Sequence, residues 1–138
     1  GRQGRQRLLM IFIVDSWAWI EYFTGSKSGL KLKRLIDNKN HKFITMECTL
    51  SEVKSYCLRT NSDFDNINKI VKKDSIILPV TIDIWLKAAE TKHEIRKKIK
   101  DFGLIDSILV AKQNELNCTL ISGDEHFKNM KKVVYIGD

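Results

Sequence analysis

The sequence predicts an α/β fold, a three-layer α/β/α sandwich whose central sheet is mostly parallel. Three observations carry this. Residues 8–14, LLMIFIV, are seven apolar side chains in unbroken succession. They lack the alternation of a strand with one face in water and suit a strand covered on both faces, as parallel sheets require. Short apolar runs then alternate with longer stretches that can be helical, the order of a parallel sheet with helices on both sides. The chain also has one proline, no internal repeat and no low-complexity tract, so nothing marks a linker. At 138 residues it makes one domain with enough chain for a hydrophobic core.

Taken in order, residues 1–9 hold Arg2, Arg5 and Arg7 and no pattern a core could use. They are expected to be an artificial remnant or an N-terminal extension, with Met10 a natural start and the domain spanning 10–138. Strands are predicted at 8–14, 43–46 (FITM), 75–78 (SIIL), 118–121 (CTLI) and 133–136 (VVYI). Between them, 16–23, 30–37, 47–59, 63–73, 80–100 and 105–116 are predicted helical. The helix over 47–59 takes its core stripe from Met46, Leu50, Val53 and Cys57. In the longest helix Ile84, Ala88, Thr91, Ile95 and Ile99 fall on one face. The aromatic residues Trp17, Trp19, Tyr22 and Phe23 belong to the core or to an interface between protomers, with base stacking the lesser alternative.

Charged residues at 30% beside 43% hydrophobic describe an ordinary globular protein, and no apolar stretch approaches the roughly 20 residues of a membrane span. The formal charge is +7; taking Arg2, Arg5 and Arg7 from the 24 basic residues leaves 21 against 17 acidic, still +4. That balance is compatible with a polyanionic partner. Cys48, Cys57 and Cys118 are odd in number and none sits in a Cys-x-x-Cys pair, while His41, His93 and His126 are scattered. Neither a disulfide framework nor a zinc site is indicated, which fits a reducing cytoplasm.

Why the first apolar run ends on Asp15 is answered by the fold class. In open parallel sheets ligands bind beyond the carboxyl ends of the strands. Asp15 lies at such an end, and so does Asp124, where CTLISGDEHF releases an apolar strand through a small turn into an acid. Each acid also has a structural reading. Asp15 fits a helix N-cap, and Asp106, in GLIDSILVAKQ, suits the first turn of a helix. Glu52 falls off its helix's core stripe and is by default solvated, while Gly-Asp makes turns. Glu47 is better explained as a helix-start acid than as an outer ligand.

Together the four acids carry a resemblance. IFIVDSWAWIEYF, TLSEV, GLIDSILVAKQNEL and CTLISGDEHF, in this order and spacing, resemble the PIN-domain nucleases, particularly the VapC-type toxins of prokaryotic toxin–antitoxin pairs. Trp17 and Trp19 are bulkier than usual after the first acid, and His126 stands where relatives carry a polar residue of any kind. The resemblance implies that Asp15, Glu52, Asp106 and Asp124 are catalytic, with Asp15, Asp106 and Asp124 binding Mg²⁺ or Mn²⁺ and Ser122 and Ser16 supporting them. It further implies endoribonuclease activity on RNA leaving 5′-phosphate and 3′-hydroxyl ends, a small antitoxin partner, a homodimer and a cytoplasmic home. The chemistry suits the residues, since hard carboxylate oxygens hold such ions while leaving positions open, and an ion so held acidifies water and steadies transition-state charge. Lys27, Lys31 and Arg34 share one helical face, as do Lys92, Arg96 and Lys100, and either could neutralise phosphates; each equally suits a solvated face. A phosphoacceptor receiver needs a second acid beside the first, and a haloacid-type phosphatase needs Asp-x-Asp; Ser16 and Trp17 after Asp15 exclude both. An RNA-processing nuclease without an antitoxin and a catalytically silent scaffold remain as alternatives.

Overall fold

The computed structural model describes residues 10–138. The predicted strand at 8–14 therefore begins, within the described residues, at Met10, and Leu8, Leu9 and the rest of 1–9 lie outside them. Five strands, β1 (Met10–Val14), β2 (His41–Met46), β3 (Ile76–Leu78), β4 (Thr119–Ser122) and β5 (Val133–Tyr135), form one sheet in the order β3-β2-β1-β4-β5. Every neighbouring pair is parallel. Six helices connect them: α1 (Ser16–Thr24), α2 (Lys27–Ile36), α3 (Glu47–Thr60), α4 (Phe64–Asp74), α5 (Ile82–Ile95) and α6 (Leu104–Leu116).

The unbroken apolar run does what its pattern implies. Phe12 and Val14 point into one core with Trp19, Leu32, Val53, Ile67 and Val71 of α1–α4. Ile13 points into the other, with Ile84 and Ala88 of α5, Ile108 and Leu109 of α6, and Phe102 and Phe127. Successive strand side chains face opposite sides, so a central strand needs apolar residues at every position, each worth roughly 1.5–3 kcal/mol when fully buried. Cys57 and Cys118 fill the two cores as small apolar side chains. Trp19 is 1% exposed and its indole N–H donates to Thr45 Oγ1 at 3.0 Å, so it belongs to the core.

Among the described residues, three elements differ from the sequence prediction by two residues or more at a boundary. α2 begins at Lys27 and not at residue 30, because the Ser26 hydroxyl caps it by accepting the Gly29 N–H at 3.0 Å. Gly29 there is a packing device: a Cβ on it would stand 2.0 Å from the Glu21 carbonyl oxygen, so α1 and α2 approach backbone to backbone. β2 starts at His41, whose ring meets Phe12 edge-on. The helix predicted over 80–100 stops at Ile95. Turns follow, in which Lys98 and Ile99 both donate to the Ile95 carbonyl and Arg96 Nε donates to the Phe102 carbonyl at 2.7 Å. Phe102 is fully buried against Phe127, and bringing its ring into the core overrides helical continuation.

Candidate active site

The strand order reverses between β1 and β4. β1 leads to β2 on one side, while β4 lies on the other, and crevices form at such switch points. The register pairs Val14 with Ile121, so Asp15 and Ser122, one residue further on, must be neighbours. They are: the Ser122 hydroxyl donates to Asp15 Oδ2, and in turn accepts the Asp124 N–H at 2.9 Å. Asp15 Oδ1 accepts the Ala18 N–H at 2.8 Å, so this acid is an N-cap and a site residue at once.

Asp106 comes from the first turn of α6, and Asp124 from the turn after β4, where its Oδ1 accepts the His126 N–H at 2.9 Å. Trp17 lies on that turn; a Cβ on Gly123 would stand 2.0 Å from its ring, so the bulky indole and the missing side chain fit one another and hold the loop. Asp106, Asp124 and His126 each present one donor atom, all within 4.8 Å of one another. Asp15 lies outside that trio, and Glu52 too; the Ser16 hydroxyl holds Glu52 by donating to Oε1 at 3.0 Å. His126 is the member that sequence reasoning missed. The only available signal was its place two residues after Asp124, inside the same turn.

Electrostatics tie the five groups together. Burial pushes the Asp15 carboxyl up to about 7, against the hydrogen bonds from Ser122 and Ala18 and with the carboxylates of Asp106 and Asp124. Burial, then the charges of Asp124 and Glu52, push Asp106 up to about 6. Glu52 is raised by burial, partly offset by Ser16, with Asp124 adding to the rise. Such a cluster favours a cation, which would remove the repulsion. The donor set fits a divalent ion: hard carboxylate oxygens, plus an imidazole Nδ1 that is buried without a hydrogen-bond partner.

Two clefts border the cluster, one at Glu52 and Asp124 and the other at His126. One of about 480 Å³ is lined by Ser16, Trp17, Glu52, Tyr56, Arg59 and Asp124 among others. The second, of about 800 Å³, is lined by Ile95, Lys97, Lys98, His126, Lys128 and Met130 among others. Lys27, Lys31 and Arg34 are exposed on α2 and line neither cleft. Of the other stripe, Arg96 is held by Phe102 and Lys92 and Lys100 also line neither. Glu47 opens α3, and its Oε1 accepts the Val80 N–H at 2.9 Å, fastening the loop before α5.

A family model, the PIN domain, matches residues 12–133. The chain belongs to the PIN-domain family. A comparison with curated proteins gave no match. Among solved structures, this PIN domain resembles the DNA-bound VapBC of Salmonella typhimurium, with a TM-score of 0.68 at 11% identity over 92% of this chain and 98% of that one. It resembles VapBC2 from Rickettsia felis, bound to a DNA fragment from its promoter, with a TM-score of 0.67 at 16% identity over 91% and 97%. The Mycobacterium tuberculosis VapC20, a Sarcin-Ricin loop cleaving toxin, gives a TM-score of 0.64 at 19% identity over 78% and 85%. The wholly parallel five-stranded sheet with its flanking helices is thus the PIN-domain fold of these structures.

Proposed function

We propose that this PIN domain, over residues 10–138, is an endoribonuclease dependent on Mg²⁺ or Mn²⁺, the VapC-type toxin of a toxin–antitoxin pair working in the cytoplasm. The observation that carries the reading is the convergence of Asp15, Asp106, Asp124 and Glu52 at the switch point of the sheet, where burial and mutual repulsion leave the acids short of positive charge. A bound divalent ion would supply a Lewis acid and an acidified water there. Asp106 and Asp124 would hold the ion, and Asp15 would join from its buried position, its carboxylate fixed by Ser122. Glu52, oriented by Ser16, faces the cleft and is placed to take a proton from the attacking water. Hydrolysis then leaves a 5′-phosphate and a 3′-hydroxyl. RNA crosses the acids from one cleft to the other, with Trp17 or Tyr56 able to stack on a base and Lys98 and Lys128 near its phosphates.

The similarity to VapBC complexes supports an antitoxin partner, whose basic side chain would occupy the acids in place of a cation. Ile82, Trp85 and Leu86, 77%, 40% and 62% exposed on one face of α5, support a homodimer. No helix among the described residues is long and apolar enough to cross a membrane.

The test is cleavage of single-stranded RNA by purified protein. Activity with Mg²⁺ or Mn²⁺ is expected, none in EDTA, and a loss of several orders of magnitude in Asp106→Asn with its fold intact. Undiminished cleavage in EDTA would refute the mechanism. Expression in cells should arrest growth; an active nuclease that leaves growth untouched would be a processing enzyme without an antitoxin.

A further inference from the structure

His126 is the residue that the four-acid site leaves unexplained. Its side chain is 35% exposed, yet Nδ1 itself is buried and has no hydrogen-bond partner. That atom stands 3.6 Å from Asp124 Oδ1 and 3.8 Å from Asp106 Oδ2, beyond hydrogen-bond range of either. The ring is packed against the core on one side. Its backbone N–H is held by Asp124 Oδ1, Phe102 packs at 6.1 Å between centroids, and the next residue, Phe127, is fully buried. A buried ring nitrogen is thus held between two carboxylates with no hydrogen-bond partner of its own.

We infer that His126 Nδ1 is a direct ligand, with Asp106 and Asp124, of the cation proposed above, and that it gives the site a preference for Mn²⁺ and related transition ions over Mg²⁺. The inference rests on the metal-nuclease reading and adds the identity of the ion. Mg²⁺ takes oxygen ligands and keeps its waters, whereas imidazole is a good ligand for the transition ions. Two carboxylate oxygens and one nitrogen on a single face leave further positions for water and a phosphate oxygen. A site made of the four acids alone would show this preference more weakly.

The experiment uses the full chain without RNA and Mn²⁺ as the probe. Pulsed electron paramagnetic resonance of the Mn²⁺-loaded protein is expected to show the ¹⁴N coupling of a directly bound imidazole. It is read on the unaltered protein, so no variant need fold for the result to count. Calorimetric titration should show Mn²⁺ binding at least about tenfold tighter than Mg²⁺, with His126→Ala and His126→Gln weakening Mn²⁺ about tenfold or more and Mg²⁺ far less. Absence of ¹⁴N coupling, with Mn²⁺ affinity lowered by Asp106→Asn and untouched by either histidine variant, would overturn the inference and leave the acidic nuclease site standing. His126 would then be an ion-pair partner of the aspartates. If neither Asp106→Asn nor the histidine variants alter Mn²⁺ binding, the metal site itself falls, and this inference with it.

Discussion

Asp15 shows why a residue's structural duty and its chemistry need not compete. One carboxylate oxygen caps α1 and the other takes the Ser122 hydroxyl. Asn can serve as the same cap, so Asp15→Asn should fold while losing the charge a cation needs. Asp106 makes the sharper case, because its carboxyl is pushed from an ordinary value near 4 up to about 6 by burial and by Asp124 and Glu52. A carboxyl raised in the folded state binds more protons there than in the unfolded chain. Its contribution to stability is therefore intact below pH 4 and is lost as pH rises through about 6. Asp106→Asn removes that loss. In EDTA it should stabilise the protein by about 1–3 kcal/mol at pH 7.5 and by almost nothing at pH 4, from denaturant unfolding at both. Millimolar Mn²⁺ should reverse the order, since binding to the native state alone stabilises the parent more. A variant less stable than its parent at pH 7.5 without metal would mean that Asp106 is only a helix-start acid. In the sequence Asp15 and Asp124 are marked by the strands they follow and Asp106 by the helix it opens, whereas Glu52, inside α3, is marked only by the resemblance. His126 was not legible, since a lone histidine in a turn carries no pattern, and only the fold around Phe102 and Phe127 brings its Nδ1 to the aspartates.

Strands and helices were legible in number, type and order, because their signals are local: apolar runs, periodicity, and a cap such as Asp15. The misplaced boundaries are those decided by contacts distant in sequence. α5 ends early because Phe102 must reach the core, and the RKKIK stretch that follows gives no local sign of a stop. α2 begins at Lys27, ahead of the predicted residue 30, because Ser26 caps it and Gly29 is the contact point with α1. That yields a prediction about the element pair. Gly29→Ala places a Cβ 2.0 Å from the Glu21 carbonyl oxygen, and backbone cannot swing aside as a side chain can. It should cost about 1–3 kcal/mol, as overpacking does. Gly123→Ala meets only the Trp17 ring, which can shift, so its expected signature differs: a smaller loss of stability and a larger loss of activity, because the turn carrying Asp124 moves. Unfolding midpoints and RNA cleavage rates measured on both variants check this. Equal stability losses would show that Trp17 is as immovable as the α1 backbone.

At the scale of the whole molecule, the proposed function asks a chain of formal charge +7 to bring RNA across an acidic centre, so the basic residues that hold the strand must flank the acids. Sequence periodicity pointed to Lys27, Lys31 and Arg34 on α2, and a helical stripe of charge cannot say which way it faces the site. The fold offers a second set: Lys97, Lys98 and Lys128 line the larger cleft, which shares His126 with the candidate cation trio. Lys97 is tied to Glu94 at 2.8 Å, which leaves Lys98 and Lys128 as the basic groups there, with Glu125 beside them. Each phosphate neutralised on a single strand releases counterions and adds about 0.7 to the slope of log affinity against log salt. With Asp106→Asn as background to prevent cleavage, replacing Lys98 and Lys128 by Ala should lower that slope by about 1.4 and weaken single-stranded RNA binding at all salt concentrations. Replacing Lys27, Lys31 and Arg34 together should change the slope by much less, since α2 borders neither cleft beside the candidate site. Fluorescence titration over a range of salt gives both slopes. If the α2 variant loses the larger share, RNA runs over α1 and α2 and the cleft beside His126 lies off its path.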